Sequence, residues 1–486
     1  MRTSAITGAR WIFLGNLGVQ LLSMLTVAWL ARVLTPADFG LVTIATVAAG
    51  LLAGLSEVGL GAMVIRRGAE DEHFVDSIFW LSVGLAAALT AAGGMLAVPM
   101  ARLLEADAAA PMVFFASATV AINLVAGVPR GILDLNLRFG TNSALKFSTY
   151  AASSVVAITL ASGTSLGAWS ILWGRFVDST AGVFLALWYA GYRPRLRFRW
   201  ESVRHELRFG AGYLATYLCS YAAKNADYWF VARAAGTDAL GLYYIAFVLP
   251  QIVRQRMTWA FERALFPVLS RTRDEASRLA RAYCEAVETV PLITFPILAG
   301  LSVTAAEVTS VAFGADWLGA VNAMRVLTLA AAVETVAVPS RPIFLTVGQT
   351  WRISSFYVVQ LSVMLPGLAV ATVIGSLQAF AFAVLFSVVV TTCVTVFVTC
   401  RYFDLGFGTI SRALFPSVVC TGLMVASVLA VPSVFPDFSS SSAALRLFAQ
   451  SSVGASTYLL CGFLLFPRQF KNLASIVKIF VGVRGA

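Results

Sequence analysis

The sequence predicts an all-α protein that crosses a membrane many times and is built as two similar halves. Three observations carry this. Of 486 residues, 59% are hydrophobic and only 12% charged, against roughly 45–50% and about 25% in soluble domains. Apolar runs of about 20 residues, the length a helix needs to cross a bilayer, recur from end to end. The turn that follows the first run returns near the middle of the chain. No segment is polar enough to form a large soluble domain, and the usual allowance of one domain per ~150 residues does not apply where lipid replaces the protein core as the apolar solvent.

Taken in order between turn residues, the runs fall near 10–34, 38–65, 76–101, 109–133, 140–162, 166–190, 209–233, 238–269, 282–313, 317–347, 352–374, 377–400, 410–432 and 443–466. That is about fourteen transmembrane helices. The divisions at Gly163–Ser165 and Gly375–Ser376 rest on tight turns alone, so counts of twelve or thirteen stay open. The first run follows the basic flank MRTSAITGARW and continues to Leu34. It is long enough to span, and no small-residue cleavage site follows a short apolar core, so it reads as a retained helix.

The net charge is +11, from 35 Lys+Arg against 24 Asp+Glu. In a soluble protein this would suggest nucleic acid; beside apolar spans it is topogenic, with basic residues held on the cytoplasmic side. With the N-terminus inside, the inside segments hold Arg2, Arg10, Arg66, Arg67, Arg130, Arg138, the arginines of 193–208 and of 271–281, Arg352, Arg401, Arg412 and the tail. The outside turns hold little beyond Arg32, Arg102 and Arg233. Both termini are therefore expected in the cytoplasm. The six cysteines, Cys219, Cys284, Cys393, Cys400, Cys420 and Cys461, form no CxxC pair and lie in or beside apolar runs, so buried thiols are expected. His73 and His205 fall in connections without metal-ligand spacing. No phosphate-cradling GxxxxGK[ST] loop occurs. The sequence thus implies no metal, no cofactor and no enzyme.

Two segments are longer than the turns. Residues 192–210, YRPRLRFRWESVRHELRFG, carry six arginines between the sixth and seventh runs. They suit a topogenic linker, with anionic headgroups or an anionic substrate as alternative contacts. The tail RQFKNLASIVKIFVGVRGA interleaves Phe470, Leu473, Ile476 and Val477 with Lys471, Lys478 and Arg484, which suits an interfacial amphipathic helix.

Internal similarity organises the rest. ARVLTPADFGLVTIATV, starting at Ala31, aligns without gaps to ARAAGTDALGLYYIAFV, starting at Ala232, with 7 of 17 positions identical. EVGLGAMVIR from Glu57 is similar to ERALFPVLSR from Glu262 in a shifted register. Each copy reads as the end of one span, a tight turn and the start of another. Six spans separate the copies, so the repeat is parallel, as in transporters with two lobes around an axis along the membrane normal. The expected organisation is an N-lobe at 1–191 (spans one to six), a basic cytoplasmic linker at 192–208 and a C-lobe at 209–402 (spans seven to twelve). Two further helices at 403–466 and a basic tail at 467–486 complete it.

The turn LTPADFGL, with SEVGLGAMVIRR and DSIFWLS after it, resembles the Wzx-type polysaccharide flippases of the multidrug/oligosaccharidyl-lipid/polysaccharide (MOP) exporter superfamily. The residues that carry the likeness are Thr35–Leu41, Glu57–Gly61, Arg66–Arg67, Asp76–Trp80 and Gly236–Tyr243. What the resemblance implies is a two-lobed bundle in the bacterial inner membrane with alternating access to a central cavity. The implied substrate is an undecaprenyl-diphosphate-linked oligosaccharide for lipopolysaccharide or exopolysaccharide synthesis. Other polysaccharide-assembly proteins are implied partners. No binding residue is transferred by position.

Ionisable and polar groups within spans are functional candidates. Tyr213, Tyr217, Tyr221, Lys224 and Tyr228 recur at helical spacing on one face of span seven. Phenols can pack on sugar rings while their hydroxyls hydrogen-bond. Asp227, three residues after Lys224, offers a local ion pair. Span eight carries Arg254, Arg256 and Arg263, whose guanidinium forks suit a diphosphate; Arg263 has Glu262 or Glu57 as alternative partners. Arg175 is the expected counterpart in span six, three residues before Asp178. Glu57, Asp178 and Asp227 are candidates either for a coupling ion, H+ or Na+, or for packing pairs; Glu285, Glu288, Glu307 and Glu334 lie in spans nine and ten. Two other functions stay open: a drug or cation exporter of the same superfamily, and a membrane-embedded glycan polymerase. The short outside turns argue against the second.

Overall fold

The computed structural model describes residues 2–56, 63–65, 68, 71–271, 276–434 and 441–473. Every regular element among them is helical. Among the described residues, twelve stretches are long and apolar enough to cross a membrane, against the expected fourteen. The difference lies in two places. Tyr217–Gln255 counts once although its backbone breaks at Gly236, and the Ala168–Ala190 helix, whose hydropathy Arg175 and Asp178 lower, is not among the twelve. By packing, the chain divides into two compact units, Met1–Gly241 and Leu242–Ala486.

The first unit contains α1 (Arg2–Val33), α2 (Pro36–Ser56), α3 (Glu72–Leu103), α4 (Ala110–Val125), α5 (Gly127–Leu135), α6 (Phe139–Gly163), α7 (Ala168–Ala190) and the leading arm of α8 (Trp200–Arg271). Helix α6 packs between α1 and α7, and α4 packs on α2, α3 and α7. Local sequence explains the ends. Asp71 caps α3 by accepting the Phe74 N–H at 3.1 Å. Gly191 ends α7 in the left-handed conformation at φ 64°, which a side chain would oppose. At Gly236, φ 82° and ψ −176° break α8, so a new helical arm starts at Thr237.

The second unit follows with α9 (Ala276–Val303), α10 (Ala305–Ala312), α11 (Val321–Ala337), α12 (Ser340–Thr346), α13 (Thr350–Ile374), α14 (Leu377–Tyr402), α15 (Phe407–Val434) and α16 (Ala443–Leu465). Helix α14 packs on α11 and α13, α9 on α11 and α15, and α15 on α16. The hydroxyls of Thr294 and Thr335 meet at 3.0 Å, and Thr399 donates to Ser340 at 3.0 Å. Buried hydroxyl pairs of this kind join helices where lipid supplies no hydrophobic drive.

Proline shapes this unit. Pro296 lies inside α9 and cannot supply the N–H that would bond the Leu292 carbonyl four residues earlier. Tyr458 of α16 does so instead, its hydroxyl donating to Leu292 O at 2.6 Å. Cys420, Met424 and Phe470 enclose that contact. Phe470, in the helical turn at 467–473, is buried while Arg468 and Lys471 beside it are exposed. The tail beyond 473 lies outside the described residues. Large apolar side chains stand exposed on the spanning helices, such as Val373 at 89% and Met95 at 78%, as a lipid-facing surface requires. The six cysteines are free thiols.

Candidate functional site

The LTPADFG turn is a structural joint. Thr35 and Asp38 form a reciprocal cap on α2: Asp38 Oδ2 accepts from Thr35 N at 3.0 Å and Oγ1 at 2.8 Å, and Thr35 Oγ1 accepts from Asp38 N at 3.3 Å. Asp38 Oδ1 also accepts the Ala168 N–H at 2.9 Å, so one carboxylate fastens the starts of α2 and α7. Gly40 lies so close to Thr237 that a methyl group there would overlap the Thr237 carbonyl. A methyl on Gly241 would overlap the Pro36 carbonyl in the same way. Pro36 matches Thr237 and Gly40 matches Gly241 in the sequence repeat, so the contact is isologous: each copy presents the same patch to the other.

Helix α2 gathers three of the candidate residues. Tyr217 and Tyr221 stack at 5.6 Å with 18° between their planes. Their hydroxyls donate to Gly50 O at 2.9 Å and Val47 O at 2.7 Å. Gly50 and Gly54 make room, since a methyl at either would run into Tyr221 or Tyr217. Arg175 of α7 also reaches this helix, donating from Nη1 to Thr46 Oγ1 at 2.7 Å. Thr46, Val47 and Gly50 lie within about one helical turn, so a guanidinium and two phenols converge on one stretch of α2. Lys224 is exposed and Asp227 buried on the same arm of α8.

The remaining candidates divide differently. Arg254 donates to Glu334 Oε1 at 2.7 Å, its side chain 14% exposed and that of Glu334 38%. Glu334 thus emerges as a specific partner that spacing along the chain does not reveal. Asp178 and Asp134 bear electrostatically on Arg130, whose Nη1 donates to Asn123 Oδ1 at 3.1 Å. Glu57 and the side chains of Arg256 and Arg263 lie outside the described residues. No group of three or more His, Cys, Asp or Glu capable of holding a metal occurs among the described residues.

A second polar site is one the sequence marks only by the motif DSIFW. Asp76, 2% exposed, accepts the Tyr192 hydroxyl at 2.7 Å and the Arg195 N–H at 3.3 Å through Oδ1. Ser77 Oγ accepts the Arg199 N–H at 2.9 Å. Trp80 Nε1 donates to Arg195 O at 2.7 Å, and Arg195 pairs with Glu72 at 2.6 Å. The first turns of α3 thereby hold the basic linker by its backbone. Burial and the Asp76 carboxylate raise the Tyr192 phenol above its usual pKa.

Together these features describe a polytopic helical membrane protein whose sequence repeats and whose helices carry charged and phenolic groups. Residues 29–322 match the family model described as "Polysaccharide biosynthesis protein", and the chain belongs to that family. It is 25% identical over 70% of its length to the Lipopolysaccharide biosynthesis protein WzxC of Escherichia coli, covering 69% of that protein. It is likewise 25% identical to the Succinoglycan biosynthesis transport protein ExoT of Rhizobium meliloti, over 70% of this chain and 68% of that one. The fold is that of the MOP superfamily. The TM-score is 0.75 to Lipid II flippase MurJ in an inward closed conformation, at 11% identity over 94% of this chain and 98% of that chain. To an inward-facing multidrug resistance MATE family transporter it is 0.61, at 15% identity over 79% and 94%. The chain is therefore a Wzx-like multi-pass membrane transporter of polysaccharide biosynthesis.

Proposed function

We propose that the protein is a flippase that carries an undecaprenyl-diphosphate-linked oligosaccharide across the bacterial inner membrane by alternating access. The observation that carries this is the convergence of Arg175, Tyr217 and Tyr221 on one turn of α2. A lipid diphosphate leaving the headgroup layer enters a medium where an unpaired charge costs several kcal/mol. Fixed cations offset that cost, and Lys224, Arg256 and Arg175 are assigned to the diphosphate. Arg254, already paired with Glu334, serves more readily to position its helix. Tyr217 and Tyr221 are assigned to the sugars. Glu57, Asp178 and Asp227 are assigned to a coupling ion or to packing. The names of the two sequence relatives, a lipopolysaccharide biosynthesis protein and a succinoglycan biosynthesis transport protein, favour this over a drug exporter, which shares the fold.

In this proposal fourteen spans place both termini in the cytoplasm, with six-helix lobes at 1–191 and 209–402 and two appended helices. Packing supports the repeat: α3 with α4, α4 with α7 and α6 with α7 correspond to α9 with α11, α11 with α14 and α13 with α14.

The test is reconstitution into liposomes loaded with a polyprenyl-diphosphate oligosaccharide, its outer-leaflet fraction read with a glycosidase. The protein should equilibrate the lipid between leaflets, and Lys224→Ala or Arg256→Ala should stop it. Removing Asp227 together with Lys224 should not restore flipping. Restoration would make Lys224–Asp227 a packing pair, and absence of flipping by the parent protein would refute the proposal.

A further inference from the structure

The linker at 192–200 leads from the end of α7 past the start of α3, within the first unit. Its backbone is held at three points by Asp76, Ser77 and Trp80. Between them the Arg197 N–H donates back to Arg195 O at 2.7 Å, a three-residue turn with Leu196 at its tip. Leu196 is 88% exposed, and Phe198 and Trp200 are 51% and 55% exposed. Arg193, Arg197 and Arg199 are also exposed, while Arg195 is tied to Glu72.

A leucine at such a tip is unfavourable in water unless something apolar covers it. Arg193, Arg197 and Arg199 lie within three residues of it in the chain. That combination, an exposed apolar tip with three exposed arginines within three residues of it in the chain, matches an anionic bilayer surface: basic residues are drawn to such a surface, and the apolar tip enters the acyl boundary. Trp188 and Tyr189 at the adjoining end of α7, 82% and 48% exposed, are the aromatic types that settle at headgroup level. We infer that the 192–200 linker is a membrane anchor that inserts Leu196 and Phe198 among anionic phospholipid headgroups, with Arg193, Arg197 and Arg199 on the phosphates and the first turns of α3 as its mount. The contacts to Asp76, Ser77 and Trp80 serve to hold this turn in advance, so that little chain entropy is lost on insertion.

The full-length protein is placed in nanodiscs of phosphatidylcholine alone, of phosphatidylcholine with about a quarter phosphatidylglycerol, or of phosphatidylcholine with a small fraction of a polyprenyl diphosphate. Chymotryptic cleavage after Leu196, Phe198 and Trp200 is followed by mass spectrometry. Cleavage should slow about tenfold or more in the phosphatidylglycerol discs. The variant R193Q/R197Q/R199Q, which leaves Glu72, Asp76, Ser77, Trp80 and Arg195 in place, should lose that protection at unchanged melting temperature. Leu196→Ser should lose part of it. Equal cleavage in neutral and anionic discs, or full protection in the triple variant, would overturn the anchor. Protection by the polyprenyl diphosphate alone would assign the linker to substrate instead and also overturn it. None of these readouts involves transport, so they stand apart from the flippase assay.

Discussion

Tyr458→Phe isolates a single hydrogen bond whose need is created by a proline. In α9, Pro296 leaves the Leu292 carbonyl without its helical partner, and Tyr458 supplies the donor at 2.6 Å. Leu292 is 2% exposed and Tyr458 7%, so neither water nor lipid offers a substitute. The phenylalanine ring keeps the contacts with Cys420, Met424 and Phe470 and removes only the hydroxyl. Stranding a buried acceptor costs about 1–3 kcal/mol, whereas measured interhelical bonds in membranes average about 0.6 and reach about 1.7. The full burial here argues for the upper part of the membrane range, about 1–2 kcal/mol. Thermal or SDS unfolding in detergent measures it. Pro296→Ala provides the internal control, because alanine restores an N–H to Leu292. In that background Tyr458→Phe should cost only a few tenths of a kcal/mol, giving a coupling of about 1 kcal/mol in a double-mutant cycle. Equal losses in both backgrounds, or none in either, would show that the carbonyl does not depend on Tyr458.

Gly40→Ala and Gly241→Ala each drive a methyl into a backbone carbonyl that no rotamer change can move aside; each should lower stability by about 1–3 kcal/mol in detergent unfolding. A third glycine exposed on a helix, such as Gly84, where nothing lies within 4 Å, should tolerate alanine and is the comparison. In the Arg254–Glu334 pair, the arginine is the more buried partner at 14% exposure against 38%. Glu334→Ala, which strands it, should therefore cost more than Arg254→Ala, about 2–3 against about 1 kcal/mol, with the double variant less destabilised than Glu334→Ala; a reversed order in the melting temperatures would contradict this. The raised Tyr192 pKa gives a pH dependence at the linker. The folded phenol holds its proton above the value of a free tyrosine, so docking is at full strength below about pH 10 and weakens as pH rises beyond it. Tryptic cleavage after Arg195 and Arg197, read by mass spectrometry, should accelerate above pH 10 relative to Tyr192→Phe, which removes the titrating group.

The sequence reveals most where the physics is local. Apolar runs mark helices because a spanning segment must satisfy its own backbone. Among the described residues, the expected span at Ala168–Ala190 is not one of the twelve, and Arg175 and Asp178 are what dilute a run otherwise clear by eye. Thr35 and Asp38 are three residues apart, so their cap is readable from spacing. The spacing of Tyr217 and Tyr221 likewise announces a shared face, and they stack. What they stack against is another matter. Val47 and Gly50 lie 174 and 167 residues away from their phenols, and Glu334 lies 80 from Arg254. Only the fold pairs such residues, since a carbonyl acceptor or an isolated glutamate leaves no periodic trace. DSIFW is a mixed case: a buried aspartate, a serine and a tryptophan in one turn announce polar work, but its object, the backbone of the basic linker, becomes visible only in three dimensions.

The reciprocal contact of Gly40 with Thr237 and Gly241 with Pro36 bears on how such a sequence can change over generations. Each glycine is demanded by the main chain of the other copy, and not by any side chain that could shrink to compensate. A substitution at one position has no single-site remedy opposite it, because a carbonyl cannot be mutated away. The two copies can drift apart almost everywhere else, as their 7 identities in 17 positions attest. At this crossing they are bound to a common fate, and glycine should be the slowest-changing residue of either turn.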